Sequence, residues 1–248
     1  MEKKIIITGV TGLIGKALTN EFLSDYQIVG MSRNPEKYQA LFPEAVTLTG
    51  WDGKSADNLL PELTGTYAII NLAGEPVAGK RWSPKQKQKI VYSRTQTVKA
   101  VFDAVRKAEN KPFAVLQGSA TGYYGISEQQ IFTEQCPKGD GFLAETTEKW
   151  EMTAKAENIS GIRMPILRTG VVLSRNGGAL PKLLKPFDFY LGGTVGSGRQ
   201  WISWVHIKDY TRAVRFLLEN EQANGVYNIT APMPVTVKTM INTAGKVL

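Results

Sequence analysis

Three glycines spaced three residues apart, Gly9, Gly12 and Gly15, directly follow a short apolar run near the start of the chain. The run Ile-Ile-Ile-Thr predicts a buried strand, and residues 16–23 predict a helix. Between a strand and a helix, Gly9 permits a sharp turn, Gly12 lets the backbone approach phosphates, and Gly15 lets the helix pack closely. The helix N-terminus then faces an anion. Although the spacing is not G-x-G-x-x-G, it predicts a site for a dinucleotide pyrophosphate.

The end of the second predicted strand, residues 27–31, carries Ser32 and Arg33. In dinucleotide folds an acidic residue about 20 positions past the glycines bonds the ribose 2′-hydroxyl and selects NAD. Here a hydroxyl and a guanidinium replace it, and both can bind a 2′-phosphate. The pair therefore favours NADP(H) over NAD, the alternative being a surface arginine in a turn before Pro35.

Two further strands are predicted at residues 45–49 and 68–72. Asp52 follows the first and could bond the adenine amino group. Asn71-Leu72-Ala73-Gly74 ends the second, and small residues at the carboxyl end of a strand let a cofactor lie against the backbone. Arg94 follows on a long predicted helix that opens at Pro84. It could reach a cofactor phosphate, or be a solvated or structural arginine.

Two hydroxyl groups near the end of the predicted strand at 113–118 are the candidate catalytic groups. Ser119 could hydrogen-bond a substrate carbonyl, or it could cap a loop. Tyr124, in the loop that follows, is the better proton-donor candidate of two adjacent tyrosines, although an architectural role is also open. Glu145 and Lys149 are a weaker proton-transfer pair, since such residues are commonly helix surface.

The alternation of strands and helices that places these residues predicts an α/β fold, a doubly wound parallel sheet of the Rossmann type. Residues 164–172 predict one more buried strand. Beyond about Gly177 the chain becomes rich in glycine and aromatic residues, which suggests a small C-terminal substrate lobe. We therefore expect a dinucleotide-binding domain at 1–176, with sheet elements also contributed from about 204–230, and a lobe at 177–248.

Composition excludes several kinds of site. Cys136 and His206 are the only cysteine and the only histidine among 248 residues, so an internal disulfide, a cysteine cluster and a multi-histidine metal site are excluded. We expect no metal site. No apolar run is long enough to span a membrane and no signal-peptide pattern is present, which favours the cytoplasm.

The net charge of +8 is concentrated at residues 80–111, where lysines interleave with apolar residues. This stretch could attract a polyanion, but a solvated helix face is the simpler interpretation. No nucleic-acid-binding motif is present, so we expect a small-molecule substrate and no nucleic acid.

Together these motifs resemble the extended side of the short-chain dehydrogenase/reductase superfamily, which includes sugar-nucleotide epimerases. More narrowly, the chain resembles the group called epimerase family proteins. The superfamily motifs are Thr8-Gly9-Val10-Thr11-Gly12-Leu13-Ile14-Gly15, Asn71-Leu72-Ala73-Gly74, Ser119 before Tyr124-Gly125, and Val205-His206-Ile207-Lys208-Asp209. The narrower match comes from Asn71-Leu72-Ala73-Gly74-Glu75, Arg81-Trp82, Ser93-Arg94, Phe142-Leu143-Ala144-Glu145, Trp150-Glu151, Arg168-Thr169-Gly170-Val171-Val172-Leu173 and Gly196-Ser197-Gly198.

The resemblance implies an NADP(H) site built from several segments. Its expected lining, with the residues named above, is Gly9, Thr11, Gly12, Leu13, Ile14, Gly15, Ser32, Arg33, Asp52, Leu72, Ala73, Gly74, Arg94 and Val172. Members of the group usually continue for some tens of residues past this ending, so we expect part of the lobe to be absent. The resemblance also suggests a homodimer through helices at 85–109 and 145–157.

One departure from the superfamily concerns its Tyr-x-x-x-Lys pair, in which tyrosine moves a proton and lysine lowers its pKa. No tyrosine here has a lysine four residues later, and the expected helix begins with Phe142 and Leu143. The first hypothesis is an oxidoreductase or epimerase acting on a small polar or nucleotide-linked substrate. The second is a non-catalytic NADP(H)-binding or sensing protein. A third, weaker one is a scaffold whose basic helix binds an acidic partner.

Overall fold

The computed structural model describes residues 3–189, 193 and 196–247. Tyr190 and Gly192, which belong to the aromatic and glycine-rich lobe segment, lie outside these residues. The strands are β1 (Lys3–Thr8), β2 (Tyr26–Ser32), β3 (Val46–Gly50), β4 (Thr66–Asn71), β5 (Ala114–Ala120), β6 (Pro165–Thr169), β7 (Val171–Ser174), β8 (Gly177–Gly178), β9 (Trp201–Ile202), β10 (Trp204–His206), β11 (Gly225–Ile229) and β12 (Val235–Thr236). The helices are α1 (Leu13–Phe22), α2 (Pro35–Tyr38), α3 (Pro84–Lys107), α4 (Phe142–Glu157), α5 (Ala179–Leu184), α6 (Ile207–Glu219) and α7 (Val237–Val247). Short 3₁₀ turns occupy Gln39–Leu41, Pro61–Leu63, Thr121–Tyr124 and Lys185–Phe189.

Seven parallel strands form the central sheet in the order β11-β6-β5-β4-β1-β2-β3. The chain winds outward from β1 to β3 and then crosses to β4 on the other side of β1. The connections that leave β1 and β4 there run to opposite faces of the sheet, and ligands bind in the crevice between them. The predicted doubly wound parallel sheet is therefore confirmed.

Apolar side chains cover both faces of this sheet, because β-branched residues on adjacent positions of a strand point in opposite directions. Ile6 packs into a core with α3 and α4 that includes Phe102 and Trp150. Ile5 and Ile7 pack into the opposite core, against α1 and α6. The sheet is thus a rigid platform whose carboxyl edge carries the candidate site.

Helix α3 begins where its sequence predicts. The side chain of Ser83 accepts a hydrogen bond from Gln86 N at 3.3 Å, and Pro84 occupies the first turn. Arg106 and Lys107 in the last turn complement the helix dipole. These signals account for where the 24-residue helix begins and ends.

The single strand predicted at 164–172 is wrong in one respect. The structure divides it at Gly170 into β6, in the central sheet, and β7, in a small separate sheet with β10 and β8. A Cβ at residue 170 would lie 2.6 Å from Ser203 O, so only glycine lets the chain turn there. Val171 N then donates to Ser203 O at 2.7 Å.

Residues from the last third of the chain contribute strands both to the lobe and to the central sheet. β11 joins the central sheet beside β6, whereas β9 and β12 form a separate antiparallel pair. The division into domains at 1–176 and 177–248 stays a prediction. Within the described residues, no helix has both the length and the apolar character needed to cross a membrane.

Candidate functional site

The glycine turn lies at the carboxyl end of β1, directly against the end of β4. Gly9 adopts φ +68°, and a Cβ there would meet the Leu72 carbonyl at 3.0 Å. A Cβ on Gly15 would lie 2.5 Å from Gly9 O, and one on Gly12 would lie 3.2 Å from that same oxygen. Gly15 is therefore required by a close backbone approach and Gly9 by its left-handed conformation, whereas a Cβ at Gly12 would make only a tight contact.

The N-terminus of α1 opens from this turn without a cap. Gly12 precedes the helix, no side chain accepts from the first turn, and no acidic residue lies in it. The N–H groups of Leu13, Ile14 and Gly15 have no intrahelical partner by position. With the helix dipole they form a site for an anion. Thr11 is half-buried beside them.

A buried chain of hydrogen-bonded polar side chains connects β1, β4 and β5 below the turn. Thr8 Oγ1 donates to Asn71 Oδ1 at 2.7 Å and accepts from Leu72 N and Ala73 N at 3.0 and 3.1 Å. Asn71 Nδ2 donates to Gln117 Oε1 at 2.9 Å. Thr8, Asn71 and Gln117 are all fully buried. This chain holds the backbone of residues 72–73 beside Gly9.

Sequence reasoning missed the role of Thr8 and Gln117. The available signal was the type of each residue, since a threonine ends the otherwise apolar β1 run and an amide interrupts the apolar run of β5. Buried polar groups must find partners. Their partners lie 46 and 63 positions away in sequence, and no local pattern identifies them.

The ends of β2 and β3 place Ser32, Arg33 and Asp52 at the same edge of the sheet. Ser32 is buried, and its hydroxyl accepts from Asn34 N at 3.3 Å. Arg33 is exposed and lines an open cavity of about 460 Å³ together with residues 34–37. Asp52 is exposed, and its carboxylate accepts from Lys54 N at 2.8 Å. Arg33 therefore presents a cation where a carboxylate would select against a 2′-phosphate.

Arg94 reaches from α3 to the segment after β4. Its Nη1 donates to Glu75 O at 3.0 Å and to Ile90 O at 3.1 Å, and its guanidinium lies 5.1 Å from the Trp150 ring. A Cβ on Gly74 would lie 3.3 Å from Arg94 Cγ. Burial lowers the pKa of Arg94 to about 10, although the charge of Glu75 opposes the shift. Arg94 is a half-buried cation that contacts residues 74–75.

The lobe contacts the glycine turn through Leu13. A Cβ on Gly178 would lie 2.8 Å from Leu13 Cδ2, so the β7–β8 hairpin passes directly over that side chain. Val172, on β7, is half-buried and packs against the same core as Leu72. The predicted lining residues from the turn, β4 and β7 are thus brought to one crevice.

Ser119 and Tyr124 belong to a buried ionic network. Ser119 Oγ donates to Glu151 Oε1 at 2.6 Å, and Glu151 forms a bidentate pair with Arg168, with both N–O distances 2.8 Å. Arg168 Nη1 donates to the Tyr124 hydroxyl at 2.8 Å, and that hydroxyl donates to Asn228 Oδ1 at 2.7 Å. Both candidate hydroxyls are therefore engaged by internal partners.

Burial and the internal hydrogen bonds shift the pKa values of Arg168 and Tyr124. Glu151 and Arg168 are each 2% exposed. Burial alone would lower the pKa of Arg168, but the hydrogen bonds and charges of Glu151 and Tyr124 outweigh it and raise the pKa. Burial raises the pKa of Tyr124 despite the hydrogen bond from Arg168. The catalytic assignment of Ser119 and Tyr124 stays a prediction.

The lone histidine and cysteine lie outside this network. His206 precedes α6, and its Nδ1 accepts from Lys208 N at 3.3 Å, which is a capping role. Hydrogen bonds from Thr133 lower the pKa of the Cys136 thiol. In the described parts of the chain, no group of three or more His, Cys, Asp or Glu could hold a metal ion.

The geometry is that of a dinucleotide-binding α/β protein, and comparison with known proteins identifies its family. Residues 5–230 match the model of the NAD dependent epimerase/dehydratase family. The chain belongs to this family. The chloroplastic homologue of epimerase family protein SDR39U1 in Arabidopsis thaliana is 36% identical over 247 residues, which are 98% of this chain and 70% of that protein. An epimerase family protein of Staphylococcus saprophyticus is 38% identical over 93% of this chain and 76% of its own length.

Two solved structures share the fold of this chain. The human epimerase family protein SDR39U1, crystallised with NADPH, is 30% identical, with a TM-score of 0.84 over 98% of this chain and 80% of that one. UDP-glucuronic acid 4-epimerase from Bacillus cereus, at 22% identity, has a TM-score of 0.83 over 98% of this chain and 82% of its own. The resemblance to epimerase family proteins is therefore confirmed.

The Glu151–Arg168 pair generates a stability prediction. Glu151→Gln or Arg168→Met alone leaves one buried group without its charged partner and should cost about 3–5 kcal/mol of unfolding free energy. The double variant should lose less than the sum of the two. Urea unfolding of the four proteins measures this double-mutant cycle.

The exposed pair Arg106–Glu157, at 2.9 Å, provides the control. Glu157→Gln should change the unfolding free energy by less than about 1 kcal/mol, because water screens that pair. If Glu151→Gln and Arg168→Met each lowered the unfolding free energy by no more than about 1 kcal/mol, the buried pair would not stabilise the fold as described.

Proposed function

We propose that this protein binds NADP(H) and acts as an epimerase-like oxidoreductase on a small polar or nucleotide-linked substrate. One observation carries the proposal. The uncapped N-terminus of α1 and the cation of Arg33 lie along the same carboxyl edge, with no carboxylate between them at the end of β2. The structure of the human family member with NADPH supports the same cofactor.

The residues present have the properties that NADP(H) requires. Gly9 and Gly15 let the turn fold tightly against its own backbone, and the free N–H groups of Leu13 to Gly15 would hold the pyrophosphate. Ser32 and Arg33 would hold the 2′-phosphate. Residues 72–74, with Arg94 behind them and Val172 opposite, would line the rest of the cofactor. When bound, the cofactor supplies a hydride donor or acceptor.

The chain's own groups would have to orient the substrate oxygen and move its proton. Ser119 and Tyr124 are our candidates, and each would have to exchange an internal partner, Glu151 or Asn228, for substrate. The lobe at 177–248 would cover the crevice, since Gly178 on its strand β8 lies against Leu13. The cytoplasmic location and the homodimer remain predictions.

Cofactor selectivity is tested by Arg33→Ala. Removal of the guanidinium should weaken NADPH binding by tenfold or more, because a charge-assisted hydrogen bond contributes about 1.5–3 kcal/mol to the binding free energy. NADH binding should stay within about twofold, because NADH has no 2′-phosphate for this residue to contact. Isothermal titration with each cofactor measures both affinities.

Lys54→Ala is the matched control, because it removes the same charge from an exposed residue after β3. It should leave both affinities unchanged. Equal weakening of NADPH and NADH by Arg33→Ala, or no weakening of either, would reject the assigned role.

Catalysis is tested by following NADPH consumption with a panel of aldehydes and ketones, and formation of the epimer with a panel of nucleotide sugars, because epimerisation returns the hydride to the substrate and consumes no cofactor. With a substrate that reacts, Ser119→Ala and Tyr124→Phe should each lower kcat by roughly a hundredfold, the size of a general acid–base contribution. Tyr123→Phe is the neighbouring control and should retain most activity. NADPH affinity and unfolding free energy, measured on each variant, separate a chemical role from loss of structure.

The alternative is a non-catalytic NADP(H)-binding protein. Tight NADPH binding without turnover of any panel member would favour it. Full activity of Tyr124→Phe would instead make Tyr124 an architectural residue of the Arg168 network.

A further inference from the structure

The proposed pyrophosphate site at the N-terminus of α1 contains no charged side chain of its own. Residues 9–15 include no lysine, arginine, aspartate or glutamate. The pyrophosphate of NADP(H) is a dianion, and the partial positive charge of a helix N-terminus offsets it only in part. A side chain from another segment would therefore have to supply a full positive charge.

The β7–β8 hairpin brings a second segment to this site. A Cβ on Gly178 would lie 2.8 Å from Leu13 Cδ2, and one on Gly177 would lie 3.7 Å from Leu13 Cδ1. Leu13 is the first residue of α1, and its N–H group is one of those without an intrahelical partner. Strand β8 thus lies against the first residue of the helix that would hold the pyrophosphate.

Arg175 lies at the tip of this hairpin. With Asn176 it forms the two-residue connection between β7 and β8, across which Leu173 pairs with Gly178. Because consecutive Cα atoms are about 3.8 Å apart, the Cα of Arg175 is at most about 8 Å from that of Gly177. The long side chain of arginine can cover the remaining distance to the N-terminus of α1.

The backbone of the hairpin tip is held in place, whereas the side chain of Arg175 is free to pair. Ser174 is buried, and its Oγ accepts from Asn176 N at 3.2 Å. Arg175 is exposed and forms no salt bridge with any residue that the structure describes. An arginine on a preordered turn loses little backbone freedom when it binds, so this position suits the capture of a phosphate.

Lys16 is the other cation near the glycine turn. It follows Gly15 directly and is half-buried on α1. The anion would lie beyond the end of the helix, whereas Lys16 leaves the helix one turn after Gly12. A guanidinium can also form two parallel hydrogen bonds with a phosphate, which an ammonium group cannot. Position and chemistry therefore favour Arg175.

We propose that Arg175 pairs with the pyrophosphate of bound NADP(H) and so ties the β7–β8 hairpin to the cofactor. The inference rests on the proposed function, because it needs the cofactor at the N-terminus of α1. Strand β7 carries Val172, and β8 leads into the lobe. The same ion pair would therefore order this wall of the crevice when the cofactor binds.

The test is isothermal titration of the whole chain with NADPH and with NADH. Arg175→Ala should weaken both by a similar factor of about fivefold, because both contain the pyrophosphate and water screens an exposed pair. Arg33→Ala differs, since it should weaken NADPH alone. Arg175→Lys keeps the charge and should recover part of the affinity. Arg106→Ala is the matched control, because it removes an exposed arginine from the last turn of α3 and should leave both affinities unchanged.

Hydrogen exchange followed by mass spectrometry gives a second measurement that does not depend on affinity. With NADPH at saturation for each protein, residues 173–178 should exchange more slowly than in the free unchanged protein. Arg175→Ala should lose most of this protection, whereas Arg106→Ala should keep it.

Unchanged affinity of Arg175→Ala for both cofactors would overturn the inference. Weakening by Lys16→Ala in its place would also overturn it, in favour of the lysine. A loss of NADPH affinity without loss of NADH affinity would instead assign Arg175 to the 2′-phosphate. If the unchanged protein bound neither cofactor, the proposed function itself would fail, and this inference with it.

Discussion

The hydroxyl of Thr8 is the contact on which the candidate site depends. It lies at the end of β1, and it holds both the side chain of Asn71 and the backbone N–H groups of residues 72 and 73. Because parallel strands share one carboxyl edge, this single group fixes the segment after β4 against the glycine turn after β1. Gln117 extends the same hydrogen-bonded chain to β5. The crevice therefore has rigid walls before any ligand binds, which reduces the entropy lost on binding.

Above these walls, anion binding depends on positive charge and on the close approach of backbone segments. Glycines 9 and 15 let backbones meet at distances that a Cβ would forbid, and the helix N-terminus so exposed attracts phosphate. Farther along the edge, Arg33 adds a cation. At the other end, the bidentate Glu151–Arg168 pair holds Ser119 and Tyr124 in place. The candidate cofactor site is thus preformed, whereas the hydroxyls of Ser119 and Tyr124 are hydrogen-bonded to internal partners.

Local sequence patterns predicted most of the fold, because buried parallel strands and glycine turns leave strong local signals. Helix α3, with Ser83 and Pro84 at its start, is equally visible in sequence. The corner at Gly170 was not predicted, since its cause is Ser203 in a distant segment. For the same reason the partners of Ser119 and Thr8 were missed, because each lies at least 32 positions away. Residue types that bind phosphate can be recognised in the local sequence, whereas the hydrogen-bond partners of a hydroxyl depend on tertiary packing.

The account's central claim is that Thr8 holds the NADP(H) site in its binding geometry. Isothermal titration of NADPH into Thr8→Val and Thr8→Ser tests it most directly. Valine has the shape of threonine but lacks the hydroxyl. Loss of the hydroxyl leaves the N–H groups of residues 72 and 73 and the side chain of Asn71 without their partner, so NADPH affinity should fall about tenfold. Serine retains the hydroxyl, and the affinity should stay within about threefold of the unchanged protein. Unchanged NADPH affinity in a folded Thr8→Val protein would contradict the account.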